Sequence, residues 1–544
     1  MSVSSKAGIL GSNFKLVDIP DLVSLYYERH VDCDKKDELI AFGTSGHRGS
    51  SFDGSFLQDH IKALTYALIL LRKKWGHTGP VFIGKDTHAL SLCAFKTVVE
   101  VLVANDVDIV LDKDFHDIPT PVLSYQILRF NETHTQKADG IILTPSHNPP
   151  EDGGFKYNPP YAGPAVGFYT KDIENLANEI LKDGTYNIKM MPFKKALESF
   201  KVHFMDMHED YINNLDKIIN MNALKSKDFK VSINPQGGSS LYCWEMIDEK
   251  YKLDLDIINK KIDPTFSFMP YDYNGRIRMD CISPYTMKIL VDRKDEFDLG
   301  VANDPDSDRH GIVTKKGLLK SPKYLSIILD YLLDTRDNWP KGAFVGKSIG
   351  SSHLIDAIVK GYGFNIYETA IGFKYVAEDI SKSKIVFGCE DSAGATFLDF
   401  KARPYSSDKD GIVAALIGME LMAIKGITLD DYLDTMTDKY GIFYYGRDDI
   451  VIDKKQKDAF FKLDASAIKD TTIASSQVLS VFDSLHDIKL RGIKVVLKDG
   501  FFAARPSGTE NIYKIYYESK VSEDHANEIL HSAKDIINKV TGFE

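Results

Sequence analysis

The chain has 544 residues, with 67 Lys and Arg against 78 Asp and Glu, and 43% hydrophobic content. That length predicts several domains with ample apolar material for cores, and excludes disordered, collagen-like and coiled-coil classes. A net charge of −11 argues against nucleic-acid binding, and the 5 Cys, odd in number and without a CxxC pair, exclude a disulfide scaffold and a zinc ribbon and suit a reducing cytoplasm.

The first forty residues carry no basic region followed by an apolar run, so no signal peptide is expected, and they read as an added arm. Short strand-like runs follow at 81–83, 107–111 and 140–143, with helical spacing at 95–103. The alternation recurs at 230–233, 299–302 and 384–387, each run followed by Gly or Asn. It predicts βαβ units and largely parallel sheets, with function in loops at the strands' carboxyl ends. Residues 411–424, the most apolar stretch, are short and carry Glu420, which predicts a buried helix rather than a membrane span. Near the end, runs at 492–497, 501–504 and 513–517, with the turn Lys498-Asp499-Gly500, predict a small antiparallel sheet. A closing helix presents Ala526, Ile529, Leu530, Ala533, Ile536, Ile537 and Val540 on one face. Boundaries are expected near 183–201, 312–322 and 435–453.

The sharpest chemical signal is Asn303-Asp304-Pro305-Asp306-Ser307-Asp308-Arg309-His310-Gly311. Three carboxylates at alternate positions, on a loop tightened by Pro305, can converge on one hard cation such as Mg²⁺. An EF-hand is excluded, because its sixth and twelfth positions are here Arg309 and Lys315. Arg309 beside such a cation suits phosphate oxygens. Thr144-Pro145-Ser146-His147-Asn148-Pro149-Pro150 closes a strand and presents a hydroxyl rigidly between prolines; without GxSxG, phosphoryl transfer suits Ser146 better than acyl transfer. Lys156 follows a glycine pair that lets a ligand approach closely. Gly43-Thr44-Ser45-Gly46-His47-Arg48-Gly49 and Arg505-Pro506-Ser507-Gly508-Thr509-Glu510-Asn511 have the ingredients of anion nests, and neither is a Walker loop. Glu390 and Ser392, two residues apart after a strand, can bond adjacent sugar hydroxyls or cap a helix.

The order GTSGHRG, TPSHNP, DPDSDRHG, CEDSAG, RPSGTE resembles the α-D-phosphohexomutase superfamily over nearly the whole chain from Ala41. Within it, residues 42–50, 144–160 and 390–398 look most like the bacterial phosphoglucomutases. The resemblance implies an α/β fold: three related α/β domains with mixed, largely parallel sheets plus a C-terminal α+β domain, heart-shaped around a central cleft. The division it implies is an arm at 1–40 and domains at 41–195, 196–315, 316–440 and 441–544. It implies interconversion of α-D-glucose 1-phosphate and glucose 6-phosphate through a phosphoserine at Ser146 and a glucose 1,6-bisphosphate intermediate. A phosphomannomutase or dual-specificity phosphohexomutase is the alternative.

By the same resemblance, Asp304, Asp306 and Asp308, with an oxygen on Ser146, would hold Mg²⁺. Arg48, Lys156 and Arg309 would surround the transferring phosphoryl group, with Lys156 or Arg48 as acid/base. Thr44, Ser45, His147 and Lys409 would line the substrate site, Glu390 and Ser392 would grip sugar hydroxyls, and Arg505, Ser507, Gly508 and Thr509 would clamp the other phosphate. Cys389 and Asp391 stand where the family usually has Gly and Glu; Phe373, where phosphomannomutase relatives tend to carry His, leans towards glucose. The partners expected are small sugar phosphates, with no nucleic acid and no membrane, for a cytoplasmic monomer or homodimer. Rival readings are a metal-dependent phosphatase, including one with Asp304 as nucleophile, and a non-catalytic binding protein. The cations Arg48, Lys156, Arg309, Lys409 and Arg505 are expected to form a local positive funnel on an acidic surface.

Overall fold

The computed structural model describes residues 3–43, 46–461, 463–506 and 512–542. The first sheet has six strands in the order His47–Ser50, Asp152–Asn158, Asp139–Leu143, Val81–Lys85, Ile109–Asp112, Val202–Met205. The last four run parallel; the second returns antiparallel to the third, and the first pairs antiparallel with the second. Strands such as Ile109–Asp112 and Asp139–Leu143 are buried at every position, which is why they read as continuous apolar runs rather than alternating ones. The helices Gln58–Trp75 and Ala89–Ala104 pack into the same core; the first ends at Gly76, whose φ of 75° is the left-handed cap that glycine adopts freely.

The second sheet is ordered Gly317–Leu319, His310–Thr314, Leu299–Asn303, Val231–Asn234, Leu255–Ile257, and the third Asn365–Thr369, Phe344–Ser348, Ile385–Glu390, Gly394–Phe397. All three sheets share one device. A central strand with a parallel neighbour ends in a loop and returns as an antiparallel strand: Asp139–Leu143 into Asp152–Asn158, Leu299–Asn303 into His310–Thr314, Ile385–Glu390 into Gly394–Phe397. Three of the five motifs singled out from the sequence occupy these three loops.

The fourth sheet is antiparallel throughout, ordered Tyr444–Val451, Ile512–Ser519, Gly500–Pro506, Ile488–Leu497, Ser476–Leu485, Thr472–Ile473. The helix Glu523–Thr541 buries Ala526, Ile529, Leu530, Ala533 and Ile537 against it, as its spacing predicts.

Two expectations change. The first forty residues are not simply appended. The helix Ile19–Glu28, capped by the Asp18 carboxylate, buries Leu22 and Tyr26 in the first domain, where the Tyr26 hydroxyl meets Thr97 Oγ1 at 3.0 Å. Before it, Gly8 N and Gly11 N donate to the carbonyls of Tyr271 and Met269 at 2.8 Å, so the segment straps the first unit to the second. The sheets also extend past the expected divisions: Val202–Met205 lies beyond residue 195 and Gly317–Leu319 beyond 315. The helix Gly411–Lys425 is buried over most of its length, and among the described residues no single helix is long and apolar enough to cross a membrane.

Candidate active site

Ser146 is presented by a chain of buried hydrogen bonds. Asp86 accepts from Thr144 Oγ1 and Ser91 Oγ, both at 2.6 Å, and pairs with His88 Nδ1 at 2.9 Å. Thr144 Oγ1 then accepts from Ser146 N at 2.8 Å, while His88 Nε2 reaches the Asn148 carbonyl at 3.0 Å. Both ends of the loop are thereby fixed. Ser146 itself has φ 59°, a left-handed conformation that non-glycine residues disfavour. Gly154 on the returning strand makes room: a Cβ there would lie 2.0 Å from the Thr144 carbonyl oxygen.

From this position Ser146 Oγ donates to Asp304 Oδ2 at 2.8 Å and lies 3.2 Å from His147 Nδ1. His147 is buried, and burial together with the guanidinium groups of Arg309, Arg278 and Arg48 holds its imidazole well below its usual range, hence neutral. The carboxylate oxygens of Asp304, Asp306 and Asp308 lie within 4.8 Å of one another. Asp306 Oδ2 takes the Lys156 ammonium at 2.5 Å and the Thr120 hydroxyl at 2.9 Å. Asp306 Oδ1 and Asp308 Oδ1, however, are buried and have no hydrogen-bond partner among the described residues. Burial and the two neighbouring aspartates push Asp304 well above the carboxylate range. Converging hard oxygens with unsatisfied lone pairs fit a divalent cation of the Mg²⁺ kind.

The third loop joins the same centre. Lys409 Nζ donates to Glu390 Oε1 at 2.8 Å and stands 3.1 Å from Asp308 Oδ2. Although burial opposes it, the Lys409 ammonium holds Glu390 below the ordinary carboxylate range. Ser392 Oγ donates to the same Glu390 oxygen at 3.2 Å, so the two residues do face one another's side of the loop. Ser307 and Ala393 repeat the left-handed backbone of Ser146, with φ 62° and 66°. Close packing welds these loops together, since a Cβ on Gly411 would lie 2.2 Å from the Arg309 carbonyl oxygen.

These groups open onto a cavity of about 660 Å³. Arg48, His147, Lys156, Asp308, Arg309, Glu390, Ser392, Lys409 and Arg505 line it, drawn from all four sheets and their loops. Ser146, Asp304 and Asp306 lie behind that wall, fully or almost fully buried. The expected residues Thr44, Ser45, Ser507, Gly508 and Thr509 lie outside the described residues. The funnel is wider than the five cations named from the sequence. Arg276, Arg278, Lys374, Arg447 and Lys514 also line it, interleaved with Asp280, Asp391, Asp408 and Asp449. A signal for these was available: Arg276, Arg278 and Asp280 sit at alternate positions, as do Arg447 and Asp449, and alternate residues on extended chain share a face. Arg447 is fixed by a two-point bond to Asp449 at 2.8 and 2.7 Å.

Three α/β units and an antiparallel fourth, joined around a cationic cavity that carries an aspartate triplet and a braced serine, define a phosphohexomutase. Models of the phosphoglucomutase/phosphomannomutase alpha/beta/alpha domains I, II and III match residues 39–183, 209–317 and 320–440, and that of the C-terminal domain matches 457–536. The phosphoglucomutase of Komagataeibacter xylinus is 41% identical over 541 residues, covering 99% of this chain and 98% of that protein. The chain belongs to the phosphoglucomutase/phosphomannomutase family. Among solved structures, the open form of pp63/parafusin, a phosphoglucomutase from Paramecium, superposes with a TM-score of 0.73 at 20% identity over 93% of this chain and 96% of that one. The Aspergillus fumigatus N-acetylphosphoglucosamine mutase, in complex with GlcNAc-6P and magnesium, gives 0.54 at 14% identity over 97% and 99%.

Proposed function

We propose that the protein is a phosphoglucomutase that interconverts α-D-glucose 1-phosphate and glucose 6-phosphate, with Ser146 as its phosphoryl carrier. The observation that carries this reading is the bond from Ser146 Oγ to Asp304 Oδ2, which sets a hydroxyl of the braced strand-end loop against the acidic triplet. Full-length likeness to the Komagataeibacter phosphoglucomutase supports it.

In this reading the phosphoryl group leaves Ser146 Oγ for the free C6 hydroxyl of glucose 1-phosphate. The bisphosphate formed turns in the cavity, and the C1 phosphoryl group returns to Ser146, releasing glucose 6-phosphate. Asp304, Asp306 and Asp308, with an oxygen of the phosphorylated Ser146, would hold Mg²⁺, which supplies positive charge beside the transferring group. Arg309, Arg48 and Lys156 spread further positive charge around it, in a transition state that depends on charge neutralisation more than on bond-making by the protein. Glu390 accepts from sugar hydroxyls, and Lys409 keeps it ionised. Arg505, with Ser507, Gly508 and Thr509, holds the phosphate that does not react. The sugar hydroxyl proton passes to Lys156 or Arg48; burial lowers the proton affinity of Arg48, the direction a base requires.

Phe373, buried in the cavity wall, favours glucose over mannose phosphates. With the expected divisions 41–195, 196–315, 316–440 and 441–544 extended to include the strands Val202–Met205 and Gly317–Leu319, each domain carries one sheet, and the enzyme acts in the cytoplasm as a monomer or homodimer. Intact-mass measurement after treatment with glucose 1,6-bisphosphate tests the carrier: one phosphate is added to the wild type and none to Ser146→Ala, whose activity is lost. Retention of most activity in Ser146→Ala would refute the reading. A coupled assay comparing glucose 1-phosphate with mannose 1-phosphate tests the substrate.

A further inference from the structure

A second cluster of metal-binding groups lies away from the cavity. Asp112 ends the strand Ile109–Asp112, His116 follows on the loop, and His208 stands on the helix Met207–Asn213 that opens the second unit. One donor atom from each lies within 4.8 Å of the others. His116 Nδ1 is 3.2 Å from Asp112 Oδ1, and His208 Nδ1 is 3.8 Å from Asp112 Oδ2. Donors on one tetrahedral zinc ion, each about 2.0–2.2 Å from the metal, stand about 3.3 Å apart, so little movement would bring these three onto it.

His208 is the telling residue. It is completely buried, and among the described residues its polar neighbours are only loosely placed: Nδ1 stands 3.8 Å from Asp112, and the Cys243 thiol lies on the other side. Buried polar groups are almost always satisfied, so a loosely held imidazole facing a carboxylate and a second imidazole has donor geometry that a metal ion would satisfy better. Tyr242 holds both rings: it stacks on His116 at 3.8 Å and 13°, and meets His208 edge-on at 5.0 Å and 88°. Cys243, the next residue, is buried and reaches the His208 ring as a weak sulfur hydrogen-bond partner. Asp112 is itself oriented by the N–H groups of Asp114 and His116 at 3.1 and 3.0 Å. Ligands whose neighbours fix their orientation are a mark of built metal sites.

We propose that Asp112, His116 and His208 form a structural site for a borderline divalent transition ion, Zn²⁺ in the first instance. Two imidazoles and one carboxylate suit Zn²⁺ or Co²⁺, whereas Mg²⁺ prefers all-oxygen sets and belongs to the aspartate triplet. His116 is partly exposed, so solvent supplies the fourth position and an entry path. The ion would tie the first sheet to the second unit. It would also anchor the loop that runs on to Thr120, the residue that grips Asp306.

The test uses full-length enzyme stripped with EDTA, returned to saturating Mg²⁺ so that the triplet is filled, then equilibrated with ZnCl₂ and desalted. Elemental analysis is expected to find about one zinc per chain in the wild type, falling about tenfold or more in His116→Ala and His208→Gln. Zinc should raise the melting temperature of the wild type and leave that of His116→Ala unchanged. Co²⁺ should give the intense visible bands of four-coordination only in the wild type. His116 lies near the surface, so His116→Ala is expected to fold and to keep its Mg²⁺-supported activity. No retained zinc in the wild type, or equal zinc in both variants, overturns the proposal.

Discussion

Thr120 holds Asp306 at two points, its backbone N–H donating to the Asp306 carbonyl at 2.8 Å and its hydroxyl to Asp306 Oδ2 at 2.9 Å. A residue at the start of a helix in the first unit thus orients a carboxylate of the second. Thr120→Val keeps the shape and the backbone bond but removes the hydroxyl donor, leaving Lys156 to orient Asp306 alone. We expect the Mg²⁺ concentration for half-maximal activity to rise about tenfold, the usual effect of losing such a supporting partner. An unchanged Mg²⁺ titration would show that Thr120 is only packing.

Gly154→Ala probes the Ser146 loop without touching a polar group. The added methyl carbon would lie 2.0 Å from the Thr144 carbonyl oxygen, a backbone atom that must move. A displacement approaching 1 Å at Ser146 costs about 100-fold in kcat, with KM little changed. Circular dichroism should be that of the wild type, and steady-state kinetics at saturating Mg²⁺ decide the matter.

Away from the chemistry, Arg72 Nε donates to both oxygens of buried Asp139 at 3.0 and 2.8 Å, and the Tyr157 hydroxyl donates to the same carboxylate at 2.6 Å. Arg72→Met strands that charge, and we expect a loss of about 3–5 kcal/mol in urea unfolding. Adding Asp139→Asn should recover much of it, because the penalty belongs to the unpaired carboxylate.

Glu518 gives a pH dependence. It lies on the fourth sheet and accepts from the Ser352 hydroxyl and from His353 N at 3.0 Å in the third unit. Burial raises its carboxyl from 4.5 to about 7, against those two bonds and Lys347. Below pH 4.5 it is protonated in both states. As pH rises towards 7, the unfolded chain ionises while the folded one keeps its proton, so stability falls through that window and levels off above it. Glu518→Gln should lack this component, worth about 3 kcal/mol between the two limits. Melting curves of both proteins across the window should converge in shape if Glu518 has no part.

The loops that carry the chemistry were legible because rigid turns demand particular residues in a row: Pro145 and Pro149 around Ser146, Pro305 among the aspartates. The parallel strands were legible because burial on both faces makes them uniformly apolar. By contrast, Tyr444–Val451 carries Arg447, Asp448 and Asp449, and Ser476–Leu485 mixes serines with Val and Phe, so neither reads as a strand until its partner is known. The clamp between Arg72 and Asp139, and the gathering of Asp112, His116 and His208, join residues from separate elements and leave no local pattern. The first forty residues looked detachable because Leu22 and Tyr26 find their cavity only after the first sheet has formed.

Ser146, Ser307 and Ala393 share a left-handed bend three or four residues past the end of a central strand, one in each of the first three units. Their side chains have nothing in common: a hydroxyl bonded to Asp304, a serine between the clustered carboxylates, a bare methyl. The bend is therefore a property of the repeated unit and not of any one chemistry. The same backbone bend thus serves three loops around one cavity while leaving the side chain at its apex free to differ.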